Sequence, residues 1–396
     1  MSKLKKITYL VGNKNFKKKL LKPYDKETCK FLSILSIELN KVKNLNFYPD
    51  IKTLSFFCRA NNIEKLRKNF LKDSVHLRSG LGLIFHITPS NVPINFAYSL
   101  IFGLLTGNSN VIKVPSKNFM QIEIICDVIN KVLKKGYKNL KEMINIVRYQ
   151  DNDEFTKIVS SKCDVRIVWG GDNTVQKIRN FKINPRAFDL SFADRYSLCI
   201  INTKKLLSSK SFEDQRLADK FYNDTYIVDQ NACSSPHLII WFGKTNQRIK
   251  DKFWNNLSNI VDRKYDLTED MTMDKYTKFC KEVLSNKTSS FKKYKNNVYT
   301  INLKDIKTDI NLLRGNYGFF YQIDAKNLNF LNKIINKKVQ TLTYYGFKKS
   351  FFEKFFVNNL LEGIDRVVPI GQALDLDLVW DGYDLNKTLT RIIDIR

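Results

Sequence analysis

The distribution of apolar positions changes character near residue 80. Before it, short apolar groups such as "FLSILSIEL" alternate with lysine-rich polar stretches, which predicts a helical, largely polar N-terminal part over residues 1–80. From Leu81 onward, continuous apolar runs of strand length alternate with stretches of helical periodicity. "LGLIFHI" predicts a strand, "TPSNVP" a turn, and "INFAYSLIFGLLTG" (Ile94 to Gly107) a helix that is apolar all round and therefore buried. "NVIKV" (Asn110 to Val114), "INIVRY", "DVRIVWGG" and "YSLCII" predict further strands. The helices between them include "NFMQIEIICDVINKVLKKG", a short one from Asp153, and one from about Asn173 to Phe181.

Strands and helices alternating at this short spacing predict an α/β protein with a parallel sheet covered on both faces. Such sheets bind ligands beyond the carboxyl ends of their strands. Residues 1–204 are therefore expected to form a Rossmann-type cofactor domain. A second α/β domain, residues 205–372, is expected to begin with a helix near Glu213. It continues through "DQNACSSP" to the strand "HLIIWF" and contains "SNKTSSFKKYKNN" (Ser285 to Asn297), which reads as a solvated loop. Residues 373–396 are expected to be a tail packing back on the fold or on a neighbouring subunit.

Composition narrows the function classes. The chain has 396 residues, 43% hydrophobic, enough for a sizeable core. A net charge of +28 raises the alternative of a basic protein binding nucleic acid or a membrane surface. The lysines are spread along the chain and outnumber arginine as a biased genome composition would make them, so no nucleic-acid partner is expected. Seven cysteines without a CxxC pair, and only His76, His86 and His237, predict neither a disulfide framework nor a metal site. "MSKLKKITYLVG" lacks the features of a secretory signal, and the longest apolar stretch is too short to span a bilayer, so a cytoplasmic protein without an integral membrane segment is expected.

One cysteine stands apart. Cys126 and Cys199 lie in apolar patterns and read as core, whereas Cys233 sits among Asp229, Gln230, Asn231, Ser234 and Ser235, before a strand. That setting predicts a tight, hydrogen-bonded loop with a partly open sulfur, suited to a nucleophile if its ionisation is assisted. The bland reading is a buried, inert thiol.

"FHITPSNVPINFAYSLIFGLLTGNSNVIKVPSK", "VWGGDNTVQKIR", "DQNACSSPHLIIW" and "GIDRVVPIGQALDLDLVWDGYDL" together resemble the LuxC family of fatty acyl-CoA reductases, within the aldehyde dehydrogenase superfamily. The resemblance covers the chain from about residue 80 and implies an aldehyde dehydrogenase-like fold and NADPH-dependent reduction of a long-chain acyl group, carried by CoA or another carrier, to the aldehyde. It implies Cys233 as nucleophile and Asn91, in "PSNVP", as an oxyanion donor; otherwise Asn91 is a turn residue between two prolines. It places Lys113, with Ser116 and Lys117, at the adenosine ribose, where the absence of a carboxylate favours a 2′-phosphate and hence NADPH. Without it, Lys113 is a side chain snorkelling from a strand end. Gly170 and Gly171 fall at the superfamily's glycine-containing cofactor turn, and Asp172 reads equally as a helix cap.

The chain departs from the superfamily where a glutamate base is usual: the corresponding passage reads Phe188, Asp189, Leu190, Ser191. Asp189 and His237 are the acid–base candidates, His237 reading equally as a structural residue at a strand start. The resemblance also implies an acyl-protein synthetase partner and a homo-oligomer. A CoA-acylating or other aldehyde dehydrogenase acting on a different substrate is the alternative within the superfamily.

Overall fold

In the computed structural model, residues 7–73, 76–150, 152–285, 290–306 and 309–396 are described. The chain divides into two compact units: residues 1–193 together with 383–396, and residues 194–382.

The first unit contains strand β1 (Thr8–Val11), helices α1 (Lys26–Leu39), α2 (Pro49–Phe57) and α3 (Ala60–Asp73), and strands β2 (Leu77–Gly80) and β3 (Leu83–Ile87). Helix α4 (Asn95–Leu105), β4 (Ser109–Val114), α5 (Met120–Leu133), α6 (Lys138–Met143) and β5 (Ile144–Arg148) follow. The remaining elements are α7 (Asp153–Lys162), β6 (Val165–Trp169), α8 (Asp172–Arg179) and β7 (Phe188–Phe192). Six strands form a sheet in the order β1-β5-β4-β3-β6-β7, parallel except for β1, which runs antiparallel to β5. Every residue of β3 and of β6 is buried, as expected for strands covered on both faces. All eleven residues of α4 are buried too.

His86 sits inside β3, its ring bridging Ser99 Oγ (2.7 Å) and Asn110 Oδ1 (2.9 Å), and burial pushes its pKa down to about 4. It is a satisfied core residue. The chain end belongs to this unit: the strand Thr390–Ile393 pairs antiparallel with β2. Asn108 locks it there, donating to Leu389 O (3.0 Å) while accepting from the N–H groups of Leu81 and Gly82.

The second unit begins with β8 (Tyr196–Asn202), α9 (Thr203–Leu207), α10 (Ser211–Thr225), β9 (Pro236–Phe242), α11 (Gln247–Lys264) and α12 (Glu269–Ser285). Strands β10 (Ser290–Tyr294), β11 (Val298–Leu303) and β12 (Phe319–Ala325), helix α13 (Leu331–Ile334), strand β13 (Val339–Tyr345), helix α14 (Lys349–Asn358) and strand β14 (Arg366–Pro369) complete it. Its seven strands are ordered β10-β11-β12-β9-β8-β13-β14, with β10 alone antiparallel. On one face, Phe221, Phe253, Trp254 and Phe320 pack around Trp241, and both indole N–H groups donate to Gln322 Oε1 (2.7 and 3.0 Å). A second cluster that includes Tyr196, Leu238, Phe319 and Leu342 forms another core of this unit.

Three elements differ from the sequence expectation. The N-terminal part is not only helical, because β1 and β2 are strands too short to declare an alternating pattern. The run "YSLCII", expected to complete the first unit, is β8 of the second sheet. An apolar strand buried on both faces carries no mark of which sheet it joins. Within Ser285 to Asn297, residues 286–289 lie outside the described residues, and residues 290–294 form β10 instead of a loop. Its lysines, Lys292 paired with Asp251 and Lys293 over aromatic rings, stand on an edge strand whose backbone still pairs, and lysines on such a strand are a common way of protecting an edge. Among the described residues, no helix is long and apolar enough to cross a membrane.

Candidate active site

Cys233 is reached from α10 through a short 3-10 turn (Tyr226–Val228) and two successive residues with left-handed backbone, Asp229 (φ 54) and Gln230 (φ 61). That conformation is costly for residues other than glycine, so surrounding contacts must hold it. They do. The Tyr265 hydroxyl donates to Asp229 Oδ1 at 2.5 Å. The buried Gln230 side chain donates to Pro236 O (3.2 Å) and Phe319 O (3.1 Å) and accepts from the Gly318 N–H (3.2 Å). It thereby fastens both ends of the cysteine loop to the start of β12.

Two serines finish the loop. Ser235 Oγ donates to Asp224 O (2.8 Å), and Ser197 Oγ, on β8, donates to Cys233 O at 2.6 Å. The Asp224 carboxylate accepts from the N–H groups of Gly371 (2.6 Å) and Ala373 (2.8 Å), tying the helix before the loop to the "PIGQA" turn. Burial nevertheless pushes the Asp224 pKa up to about 7. Arg366 completes that turn by donating to the carbonyls of Gln372, Ala373 and Asp375.

The Cys233 side chain is partly buried, unlike the fully buried Cys58, Cys126, Cys163 and Cys199. Burial raises its pKa, and the neighbouring Asp194 and Asp381 add to that effect. The backbone N–H of Arg195 and the charge of Arg314 act the other way, favouring the thiolate. Among the described residues, the Cys233 N–H meets no hydrogen-bond acceptor. An unused donor beside a thiol can receive a developing oxyanion.

His237 is buried four residues further on. Its Nδ1 lies 3.0 Å from Gly315 O and 3.3 Å from the Gly315 N, and burial, aided by Arg314, pushes its pKa down to about 3. The ring is neutral and packs 5.4 Å from Tyr196. Asp189, on β7, is engaged by Arg166 in a two-pronged pair (Nε–Oδ1 2.7 Å, Nη2–Oδ2 2.8 Å), with Arg166 itself buried. Proton transfer to that carboxylate would dissolve a buried ion pair, which costs several kcal/mol, about 3–5.

The remaining predicted residues lie at or beyond the carboxyl ends of central strands of the first sheet. β3 lies between β4 and β6, all parallel, and chain order reverses across it, so the carboxyl ends of these three strands flank a topological switch point. Asn91 is exposed in the loop after β3. Lys113 is at the end of β4, its Nζ 5.3 Å from the Tyr149 ring, and Ser116 and Lys117 are exposed just beyond. Gly170 and Gly171 follow β6 and lead into α8.

The backbone itself does not demand glycine at Gly171: its φ is −64, and a Cβ there would touch nothing within 4 Å. Open space before a helix N-terminus suits the phosphates of a nucleotide cofactor. Sequence reasoning missed Asp194, Arg195, Ser197, Arg314 and Asp381 around the thiol, because they come from separate segments. Gln230 was visible in the motif but carried no sign of its buried role.

Comparison with known proteins bears on the family and the fold. Residues 59–392 match the model of the acyl-CoA reductase (LuxC) family. A long-chain acyl-protein thioester reductase of Aliivibrio fischeri is 27% identical over 187 residues, 46% of this chain and 36% of that protein. One of Photorhabdus laumondii is 23% identical over 174 residues, 43% and 34% of the two chains. The alignments thus span about a third of the length of these curated relatives. The aldehyde dehydrogenase 21 structure from Physcomitrella patens superposes with a TM-score of 0.63 at 11% identity, covering 93% of this chain and 86% of that one. The aldehyde dehydrogenase KauB from Pseudomonas aeruginosa gives 0.63 at 12%, covering 90% and 78%. With a family match over most of its length, this chain belongs to the LuxC acyl-CoA reductase family and has the aldehyde dehydrogenase fold.

Proposed function

We propose that the protein reduces a long-chain acyl group, delivered as a thioester of CoA or of a carrier protein, to the corresponding aldehyde using NADPH. The observation that carries this reading is Cys233: a partly buried residue in a loop held from several sides, whose N–H meets no acceptor among the described residues. The curated relatives named acyl-protein thioester reductases support a thioester substrate.

In the first step, the Cys233 thiolate attacks the thioester carbonyl. The Cys233 N–H and the Asn91 amide hold the oxyanion, and the intermediate collapses by expelling the carrier thiolate, which takes up a proton. The product is a thioester on Cys233. A bound NADPH would supply the hydride that takes this acyl group to a hemithioacetal on Cys233, whose C–S bond would then break to give aldehyde and the free thiol. No water needs activating, so a reductase can dispense with the glutamate base of the oxidising enzymes. Asp189, in its ion pair with Arg166, and His237 remain the acid–base candidates by residue type.

Lys113, Ser116, Lys117 and the Gly170–Gly171 turn would hold the nucleotide. Their fit rests on the open helix N-terminus and on the lack of a carboxylate between Val114 and Lys117. An aldehyde dehydrogenase neighbour is described with NAD+ bound, which supports a nicotinamide cofactor. The Lys113–Lys117 stretch favours the 2′-phosphate form by charge complementarity. A cytoplasmic acyl-protein synthetase feeding the site, and assembly as a homo-oligomer, belong to the same reading.

The test is acyl-dependent NADPH oxidation with a series of acyl-CoAs and with an acylated carrier protein. Cys233→Ala is expected to abolish both covalent acyl labelling and aldehyde formation while cofactor binding persists. Lys117→Ala is expected to cut the preference for NADPH over NADH roughly tenfold, as loss of a charge-assisted contact worth about 1.4 kcal/mol. Labelling of the Cys233→Ala protein at wild-type level would move the nucleophile elsewhere.

A further inference from the structure

Two arginines enclose the segment that faces the Cys233 thiol. Arg195 donates from Nη2 to Val339 O (3.0 Å) and from Nε to Lys338 O (3.3 Å), and pairs with Asp365 and with Asp381 (2.8 Å). Asp381 is buried, accepts from Gln340 Nε2 (2.9 Å), and has its pKa raised by burial. Arg314 donates from Nη1 to Asp194 Oδ1 (3.0 Å), from Nη2 to Arg195 O (2.8 Å) and from Nε to Asn311 O (3.2 Å). Its guanidinium lies 5.7 Å from the Tyr196 ring. The corner Asp194–Arg195 is thus clamped from both sides, and its N–H at Arg195 is presented to the sulfur.

We propose that Arg314 is a positioning residue for Cys233: it fixes the Asp194–Arg195 corner against the thiol and, opposed by Asp194, sets how readily that thiol ionises. The inference rests on Cys233 being the reactive thiol of the proposed function, but its physical content concerns the thiol alone.

The charged and titratable groups around the sulfur come from four stretches. Asp194 and Arg195 precede β8, neutral His237 lies on β9, Arg314 precedes β12, and Asp381 follows β14. Asp194 and Asp381 disfavour the thiolate, and Arg314 favours it. Asp365 is paired with Arg195. Because Arg314 and Asp194 are 31% and 45% exposed, solvent screens them, and each is expected to change thiol reactivity by about three- to tenfold and not more.

The fork geometry explains why an arginine is needed. One guanidinium bonds a carboxylate, a backbone carbonyl on the same corner and a third carbonyl at once, which a lysine ammonium on a flexible stem does less rigidly. A neutral glutamine keeps part of the hydrogen bonding and none of the charge.

The experiment is alkylation of the purified full-length protein by iodoacetamide, without substrate or cofactor, from pH 6 to 10. Labelling of the Cys233 peptide is followed by mass spectrometry, with the partly buried Cys29 and Cys280 as internal references. Arg314→Gln is expected to shift the alkylation midpoint upward and to slow labelling at pH 7.5 about three- to tenfold, the thiolate fraction falling with each unit of pKa tenfold. Arg314→Lys is expected to recover at least half of that loss. Asp194→Asn is expected to move the midpoint the opposite way and to speed labelling. The proposal is overturned if the Arg314→Gln curve overlays the wild type, or if Arg314→Lys recovers nothing. It is likewise overturned if both Arg314→Gln and Asp194→Asn move the midpoint in the same direction, since lost shape and not charge would then be the cause. Failure of the proposed reaction would show separately, as acyl labelling that survives Cys233→Ala.

Discussion

The two groups of candidate residues, one in each unit, are built in different ways. In the first unit, a buried sheet ends in exposed residues. Asn91, Ser116, Lys117 and Gly171 are exposed, and Gly171 has open space around it. In the second unit, Cys233 is set in a loop whose neighbours are almost all engaged, from the left-handed pair Asp229–Gln230 to the Ser197, Ser235 and Asp224 bonds. A cofactor is bound and released in each cycle, so its contacts can be peripheral to the fold. A nucleophile that must be aimed and tuned requires support throughout. The difference separates residues whose loss harms binding or chemistry from residues whose loss also harms the protein.

Asn91 tests the first side most severely. Asn91→Ala is expected to slow acyl transfer roughly a hundredfold or more, the usual consequence of deleting an oxyanion donor, with near-normal affinity for the acyl thioester. Its folding stability should match the wild type, because an exposed loop amide contributes little to the core. Rapid-mixing measurement of carrier release in the first turnover, alongside a urea melt, checks both halves. Wild-type transfer in the folded variant would leave Asn91 as a turn residue.

Gln230→Ala probes the other side and should damage fold and chemistry together. It strands two buried carbonyls and one N–H, so a loss of about 2–4 kcal/mol in unfolding free energy is expected. Alkylation of Cys233 should also lose its single-exponential form, as the loop samples more than one arrangement. A variant with native stability would show that the Asp229–Gln230 turn is held by other contacts.

Asp224 gives that same loop a pH signature. Its pKa in the folded protein, about 7, lies above the 3.8 usual for an aspartate, so the folded state binds the proton more tightly than the unfolded chain does. The stabilisation is therefore fully present below pH 4 and is lost as pH rises from about 4 to 7. Asp224→Asn should flatten this part of the stability profile, at the cost of one of the two bonds to Gly371 and Ala373. Denaturant melts at intervals across pH 4 to 8 measure the slope. An unchanged slope in the variant would mean the two N–H donors keep the carboxylate ionised.

Much of the first side was legible in the sequence, and little of the second. The strand–turn–helix run from Leu83 to Leu105, and strands β4 to β6, follow from apolar periodicity, and the predicted cofactor residues fall at their carboxyl ends. Cys233 stood out by its polar neighbours. Its environment did not, because Asp194, Arg314 and Asp381 converge only through the parallel pairing of β8, β9, β12 and β13. Charged residues far apart in sequence look like ordinary surface charges until topology joins them. Asp189 illustrates the converse: its place in the motif suggested chemistry, yet the neighbouring strand sets Arg166 directly opposite it.

The smallest effect is also the cleanest discriminator. Gly171→Ala should leave stability within about 0.5 kcal/mol of the wild type, since the backbone there is extended, with φ −64, and an added methyl meets no atom within 4 Å. In most folds a glycine is kept for its own backbone or for a close neighbour, as at Gly318, where a Cβ would strike the Tyr226 hydroxyl. Gly171 has neither reason inside the protein. If the turn before α8 receives a pyrophosphate, the methyl intrudes on the ligand instead, and affinity for NADPH should fall several-fold, by about 1 kcal/mol, with NADH affected to the same degree. Equal loss for the two cofactors separates this site from Lys117, whose substitution should act mainly on NADPH. Fluorescence titration of both nucleotides, with a thermal melt of each free protein, reads affinity and stability independently. Unchanged affinity for both in the Gly171→Ala protein would remove the α8 turn from the cofactor site and leave the strand ends of β3 and β4 to account for binding.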